Sequence, residues 1–520
     1  MEGNGVMLNA YPDSIGDNLS DTLKILALPA FKDLFSLFYV LPTFFNSDLD
    51  RGFSIIDYDL NKELVSENDL KGIKELAIDL KFDIVLNHLS VASPQFKDLL
   101  AHGEASKYKD FFINWNTFWK GHGTMNNDGI IIPQKDFLDK LFMRKAGLPI
   151  LKVQFPDGSE QPYWNTFYQK VSFSKTESQK TYLGQMDVNA ESPMVWDFYE
   201  KVLTKLKGYG CKILRLDAFA YLHKAVGASN FFNTPGTWYY LDRINKMAEK
   251  HHITLLPEIH AEYGSGLHKE VAEKGYMIYD FFLPGLLIHA LEFKTNEPLL
   301  QWTKEILDHG YKTVNMLGCH DGIPVLDLKG KEINGDYHEG LLSDEAIEAV
   351  MDIVIGRGGK VKNLYGPNGE KISYYQVNAT FFSALGENEK KLLLARAIQL
   401  FMPGTPQIWY LDLFAGTNDY DAVQRAGEGG HKDINRTNLT LSAIESRLQK
   451  PIVQKQLDLI RLRNTSKAFL GNLTIVEKET HTIDLRWDYE QHFAQLSADL
   501  NAASFVISYS KDGEALELYS

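Results

Sequence analysis

Arg215-Leu216-Asp217-Ala218-Phe219-Ala220-Tyr221 is the stretch that decides the fold. It closes an apolar run that includes Ile213 and Leu214, and sets two opposite charges two residues apart. Residues two apart on a strand share a face, so Arg215 and Asp217 point the same way. An arginine there keeps the aspartate ionised and fixes its orientation. The same layout recurs along the chain. Glu258 closes Leu255-Leu256-Pro257-Glu258, His320-Asp321 follows Thr313–Leu317, and a third strand is expected to end in Asp83, followed by Asn87-His88. A single acidic residue at a strand end reads as a helix cap or a loop ligand. Four strand ends with these residue types are not explained by capping.

Working outward, eight strands are expected at Val6–Ala10, Phe38–Leu41, Ile84–Leu86, Lys212–Leu216, Thr254–Glu258, Met277–Tyr279, Thr313–Leu317 and Gln407–Tyr410. Most are unbroken apolar runs, as parallel strands buried on both faces require. Helical patterns lie between them. Ser192-Pro193 reads as a cap and first-turn pair, ahead of a stripe of Val195, Phe198, Tyr199, Val202 and Leu206. Leu394, Ala397, Ile398 and Phe401 form another stripe, stopped by Pro403-Gly404. Eight strand–helix alternations make an α/β chain with a (β/α)8 TIM barrel, carrying inserted subdomains after strands 3 and 7 and a small C-terminal β-domain. The expected division is barrel over 1–88, an insertion over 89–185, barrel over 186–321, a second insertion over 322–378, barrel over 379–465 and the β-domain over 466–520. Both insertions follow a strand's C-terminal end, the active face of such barrels.

Composition narrows the function class. Of 520 residues, 44% are hydrophobic and 23% charged, which is ordinary for a globular chain. A formal charge of −14 argues against a nucleic-acid partner. Cys211 and Cys319 are the two cysteines, so there is no disulfide framework and no zinc-ligand spacing; two buried free thiols are expected, as suits a reducing cytoplasm. The opening MEGNGVMLNAYPDS lacks a basic region followed by an apolar one, so no secretory leader is expected. No apolar run reaches the length of a membrane span.

Together, Asp83–His88, Arg215–Asp217, Glu258 and His320–Asp321 resemble the four short motifs of glycoside hydrolase family 13, the α-amylase family. The resemblance narrows to its sucrose phosphorylase subfamily through Tyr11-Pro12-Asp13-Ser14, Asp50-Arg51-Gly52-Phe53, His320-Asp321-Gly322-Ile323, Tyr375-Gln376-Val377-Asn378, Phe382-Ser383-Ala384-Leu385 and Asp433-Ile434-Asn435-Arg436. It runs from Leu8 to the end of the barrel. It implies transfer of glucose, with retention, between an α-glucoside and inorganic phosphate, giving α-glucose 1-phosphate. A hydrolase or transglucosidase on the same fold is the alternative.

By this resemblance Asp217 is the nucleophile, Glu258 the general acid and base, and Asp321 the residue that grips ring hydroxyls. Asp50, His88, His320 and Arg436 match residues that clamp glucose, and Phe53 and His260 are expected along the aglycone wall; Phe167, Gln185, Arg215 and Tyr221 complete the expected substrate contacts. Arg144 and Lys145 match a basic loop near the anion, with Tyr221, Tyr375 and Gln376 beside it. The resemblance implies no cofactor and no metal, small-molecule partners only, and is compatible with a homodimer, since subfamily relatives include dimers.

One position departs from the subfamily. Where sucrose phosphorylases have an aspartate that contacts fructose, this chain has Ser373, followed by Tyr374. Sucrose 6-phosphate enzymes keep that aspartate and have a histidine where Tyr375 stands. Glucosylglycerate phosphorylases carry Trp-Lys-Glu after the nucleophile strand, where this chain has Leu222-His223-Lys224-Ala225. A site built to hydrogen-bond one polyol discriminates strongly once a partner is lost, so a different acceptor is expected, glycerol or another small polyol.

Overall fold

The structure, a computed structural model, describes residues 5–145, 147–174, 179–365, 371–427, 430–511 and 513–519; the side chains of 173, 174, 179, 362–365 and 371–376 are outside the description. Eight parallel strands form the central sheet: β1 (Met7–Ala10), β2 (Leu37–Val40), β3 (Asp79–Val85), β4 (Cys211–Asp217), β5 (Thr254–Pro257), β6 (Ile278–Asp280), β7 (Thr313–Met316) and β8 (Thr405–Trp409). Hydrogen bonding orders them β5-β4-β3-β2-β1-β8-β7-β6, which is the strand sequence of a (β/α)8 barrel. Seven strands fall within two residues of the expected bounds. The third is longer and begins at Asp79, because Lys81 and Asp83 interrupt its apolar pattern although both are buried. Asp83 therefore lies inside β3, paired in register with Arg215, and does not end the strand.

The chain divides into two compact units. One comprises Leu41–Ser66 and Leu80–Glu258 and contains most of β3 together with β4 and β5. Helix α1 (Pro193–Gly208) buries Val195, Tyr199, Val202 and Leu206 as expected, and also Trp196 and Leu203. Phe198 is half-buried and packs on Phe111 and Tyr58. Ser192 occupies the cap position, but its side chain makes no capping bond; Pro193 has no N–H to satisfy, so less is lost there. The segment between β3 and β4 holds short antiparallel pairs, among them Ile150–Gln154 with Glu160–Trp164 and Gln169–Ser174 with Gln179–Asp187. Its core is built on Trp115, Trp119 and Trp164.

The other unit comprises Met1–Val40, Glu67–Asp79 and Ile259–Ser520. Helix α2 (Glu389–Phe401) starts on Asn388, whose side chain accepts from Lys391 N, and ends at Met402, just before the expected Pro403-Gly404 stop. Gly404 has φ +97°, and a Cβ there would lie 2.1 Å from Thr313 Oγ1, so the turn into β8 needs glycine. Asp280 ends β6 fully buried; its Oδ1 accepts from Trp302 Nε1 at 3.0 Å, and burial pushes its carboxyl up to about 6. Beyond the barrel, Asn472–Ile475, Thr482–Tyr489, His492–Asp499, Ser504–Lys511 and Glu514–Tyr519 form an antiparallel sheet in chain order, with Ile483, Leu485, Leu496 and Ile507 buried on one side. Cys211 and Cys319 are both buried, and neither is in a disulfide. Among the described residues no helix is long and apolar enough to cross a membrane.

Candidate functional site

In the unit carrying β4, the expected residues gather around one guanidinium. Arg215 is 3% exposed. Its Nη1 lies 2.6 Å from Asp83 Oδ1 and 2.9 Å from Asp217 Oδ1, and its Nη2 pairs with Glu258 Oε1. Asp83 is wholly buried, whereas the side chains of Asp217 and Glu258 are 14% and 15% exposed. Two carboxylates thus reach solvent-accessible space while sharing a buried counter-ion. The strand period explains Asp83, Arg215 and Asp217; Glu258 joins them because its N–H donates to Leu216 O at 3.3 Å, one residue past β5. Immediately after Asp217 the chain turns through Ala218 in the left-handed region (φ +53°).

A second cluster lies in the same unit. His88 is 2% exposed, with Nε2 3.0 Å from Phe53 O and 3.2 Å from Gln185 Nε2; Gln185 Nε2 donates to that same carbonyl at 3.2 Å. Burial holds the His88 imidazole below its usual range, against the opposing charges of Asp187 and Asp50. Asp50 itself is exposed, on left-handed backbone (φ +49°). The Phe167 ring lies 4.9 Å from His88 and 5.2 Å from Tyr221. Arg144 sits 5.5 Å from the Phe167 ring and 6.0 Å from that of Tyr221, with Nη1 3.5 Å from the Tyr221 hydroxyl. The structure therefore brings Arg144, Phe167 and Tyr221 together. Lys145 is turned to Asn165 Oδ1, and burial pushes its ammonium down to about 8.

In the other unit, Asp321 stands among positive groups. His320 Nε2 is 3.1 Å from Asp321 Oδ2, Lys432 Nζ is 2.6 Å from Oδ1, and Arg436 Nη2 is 3.6 Å from Oδ1. Arg436 Nε donates to His320 O at 2.7 Å. Burial alone would raise the Asp321 carboxyl, but His320, Lys432 and Arg436 hold it well below the usual carboxylate range. His260 stacks on Phe281 at 3.9 Å, with Nδ1 3.3 Å from Asp327 Oδ1. Neither Lys432 nor Asp327 is among the expected site residues. For Lys432 there was a signal, because it directly precedes Asp433-Ile434-Asn435-Arg436. Asp327 lies in the 3-10 turn Leu326–Leu328, too short for a sequence period to mark. Ser373, Tyr374, Tyr375 and Gln376 lie in the strand Lys371–Asn378, but their side chains are outside the described residues.

Among the described residues, Cys319, His320 and Asp321 are the group of potential metal ligands whose donor atoms all lie within 4.8 Å of one another. Lys432 and Arg436 already supply the positive charge that a cation would bring to Asp321. Lys432→Met is expected to let the Asp321 carboxyl rise toward 3.8, its ordinary value. A depressed carboxyl stabilises the fold above its unfolded value and loses that contribution as pH falls through the folded value. The stability gap between wild type and variant should therefore be present at pH 7 and shrink below about pH 3.8. Urea midpoints across pH check this, and a gap that does not depend on pH would contradict it.

No protein-family model matches the chain. It is 59% identical over 510 residues to the sucrose 6(F)-phosphate phosphorylase of Ilumatobacter coccineus, covering 98% of this chain and 96% of the relative. It is 31% identical over 510 residues to the glucosylglycerol phosphorylase of Marinobacter adhaerens, covering 98% and 97%. The crystal structure of sucrose 6F-phosphate phosphorylase from Thermoanaerobacter thermosaccharolyticum superposes with a TM-score of 0.87 at 34% identity, over 100% of this chain and 98% of that one.

Proposed function

The chain belongs to the sucrose phosphorylase subfamily of glycoside hydrolase family 13 and is a glucoside phosphorylase, and from that premise we propose that Asp217, Glu258 and Asp321 carry its reaction. Asp217 attacks the anomeric carbon of an α-glucoside and forms a β-glucosyl ester. Glu258 protonates the departing oxygen, then takes the proton of the incoming acceptor. Asp321, with His320 and Arg436, holds ring hydroxyls and favours the oxocarbenium-like transition state. Phosphate replaces the aglycone and leaves as α-glucose 1-phosphate.

The observation that carries this reading is the single Arg215 guanidinium binding both Asp217 and Glu258. A shared counter-ion suits the close carboxyl pair of a retaining enzyme, about 5–5.5 Å apart, better than the wider pair that leaves room for a water. Arg144 supports phosphate as acceptor, since its guanidinium can take a tetrahedral anion between Phe167 and Tyr221. Asp50, Phe53, His88, Gln185 and His260 are assigned to substrate contact on the same basis, and Lys145, Ser373, Tyr374, Tyr375 and Gln376 to the acceptor side. The two buried cysteines, neither in a disulfide, suit a reducing cytoplasm.

For the aglycone, identity of 59% along nearly the whole chain favours the phosphorylated ketose of sucrose 6(F)-phosphate. Ser373 in place of a fructose-contacting aspartate, together with the glucosylglycerol phosphorylase relative, favours glycerol as a second reading. The deciding experiment offers sucrose 6(F)-phosphate, sucrose and glucosylglycerol with and without phosphate, and assays α-glucose 1-phosphate. Sucrose 6(F)-phosphate is expected to give the highest kcat/KM. Glucose released at the same rate without phosphate would defeat the phosphorylase assignment.

A further inference from the structure

Lys224 lies in the loop beyond the nucleophile strand. Its side chain is 2% exposed, and all three ammonium hydrogens have partners: Asp187 Oδ2 at 2.8 Å, Asn87 Oδ1 at 2.9 Å and Tyr221 O at 2.7 Å. Asp187 is equally committed. It accepts from Asn87 Nδ2 at 3.0 Å, from Thr166 N at 2.8 Å and from Thr166 Oγ1 at 2.6 Å. The Lys224 ammonium also lies 5.4 Å from the ring centroid of Trp164, in the tryptophan core. Four chain segments therefore meet on one buried ion pair: the loop after β4, the Asn87-His88 turn, the Thr166-Phe167 turn and the end of the strand Gln179–Asp187.

Two of those segments carry the rings that flank Arg144. Tyr221 is held through its carbonyl by Lys224, and Phe167 follows the threonine that Asp187 holds by both N–H and hydroxyl. A buried pair is weak evidence for stability, because desolvation of both charges offsets their attraction. A fully satisfied polar network does, however, specify a unique arrangement. We propose that the Lys224–Asp187 pair is a positioning device for the acceptor pocket, setting the gap between Phe167 and Tyr221 in which Arg144 meets phosphate. The inference rests on the phosphorylase reading above. It assigns Lys224 and Asp187 no contact with substrate; both act through the two rings.

The test uses the full chain. Lys224→Met alone would strand a buried carboxylate, so Lys224→Met is combined with Asp187→Asn, removing both charges. Phosphate KM is expected to rise about tenfold, the scale of a displacement below 1 Å at a preorganised site, while kcat at saturating phosphate falls less. Thr166→Val keeps both charges and deletes one bond to Asp187; a rise of a few-fold in phosphate KM is expected, and this milder variant decides the matter where the double variant does not fold. Unchanged phosphate KM in folded variants, or loss of kcat alone, overturns the positioning role, since a merely structural pair would lower the folded fraction without moving KM. Arg144→Gln separates the premise from the inference. A raised phosphate KM there, with none in the pair variants, defeats the pair alone; an unchanged KM in Arg144→Gln defeats the anion-contact reading and the pair with it.

Discussion

Asp217→Asn is expected to lower kcat for glucosyl transfer by about 10⁴-fold or more, the equivalent of at least roughly 5 kcal/mol of transition-state stabilisation. An amide cannot form the glucosyl ester; of the other two carboxyl groups paired with Arg215, Glu258 is needed as the acid and Asp83 is wholly buried. The fold should persist. Arg215 keeps Asp83 and Glu258 as partners, so the substitution removes one of three negative groups facing one positive group and leaves no charge stranded. The measurement is α-glucose 1-phosphate release, with near-ultraviolet circular dichroism to show native packing. Turnover within tenfold of wild type in the folded variant would remove Asp217 as nucleophile.

Arg215→Met is expected to act first on stability. Three carboxylates would lose their common counter-ion in a site where Arg215 is 3% exposed, and breaking a buried pair in this way costs about 3–5 kcal/mol. Much of that cost comes from the buried Asp83, so Asp83→Asn added to Arg215→Met should recover part of the loss. The two changes would then be strongly non-additive, as expected for groups in one network. Activity should not return with stability, because Asp217 and Glu258 would still lack the group that orients them. Urea unfolding of the single and double variants reads the first effect and turnover the second. An additive pair of substitutions would mean that Arg215 does not hold Asp83 in the way described.

The barrel was readable because its strands are buried on both faces and so appear as apolar runs, with charge only where a strand meets solvent. Where that contrast fails, the reading fails with it: Lys81 and Asp83 are charged yet buried, and they concealed the first half of β3. Arg215, Asp217 and Glu258 were legible for the same reason, as polar residues at or next to strand ends. Asp321 was legible as the polar residue after the seventh apolar run, but it lies five residues beyond Met316, so no local period fixes where it points. Lys432 and Asp327 reach their partners from short 3-10 turns, where contacts depend on tertiary path and not on spacing. Lys224 and Asp187 stood in plain sight, but a lone lysine in a loop reads as solvated, and only the fold shows it buried.

The excess of carboxyl groups around Arg215 also bears on timing. Asp83, Asp217 and Glu258 share one guanidinium, and in the proposed double displacement Asp217 enters as the anion and Glu258 as the acid. Once the sugar is esterified to Asp217, that oxygen is neutral but Glu258 has given up its proton, so the negative charge has moved from one Arg215 partner to the other. Arg215 therefore faces the same total charge before and after the first displacement, and an ionised Glu258 stands ready to take the acceptor's proton.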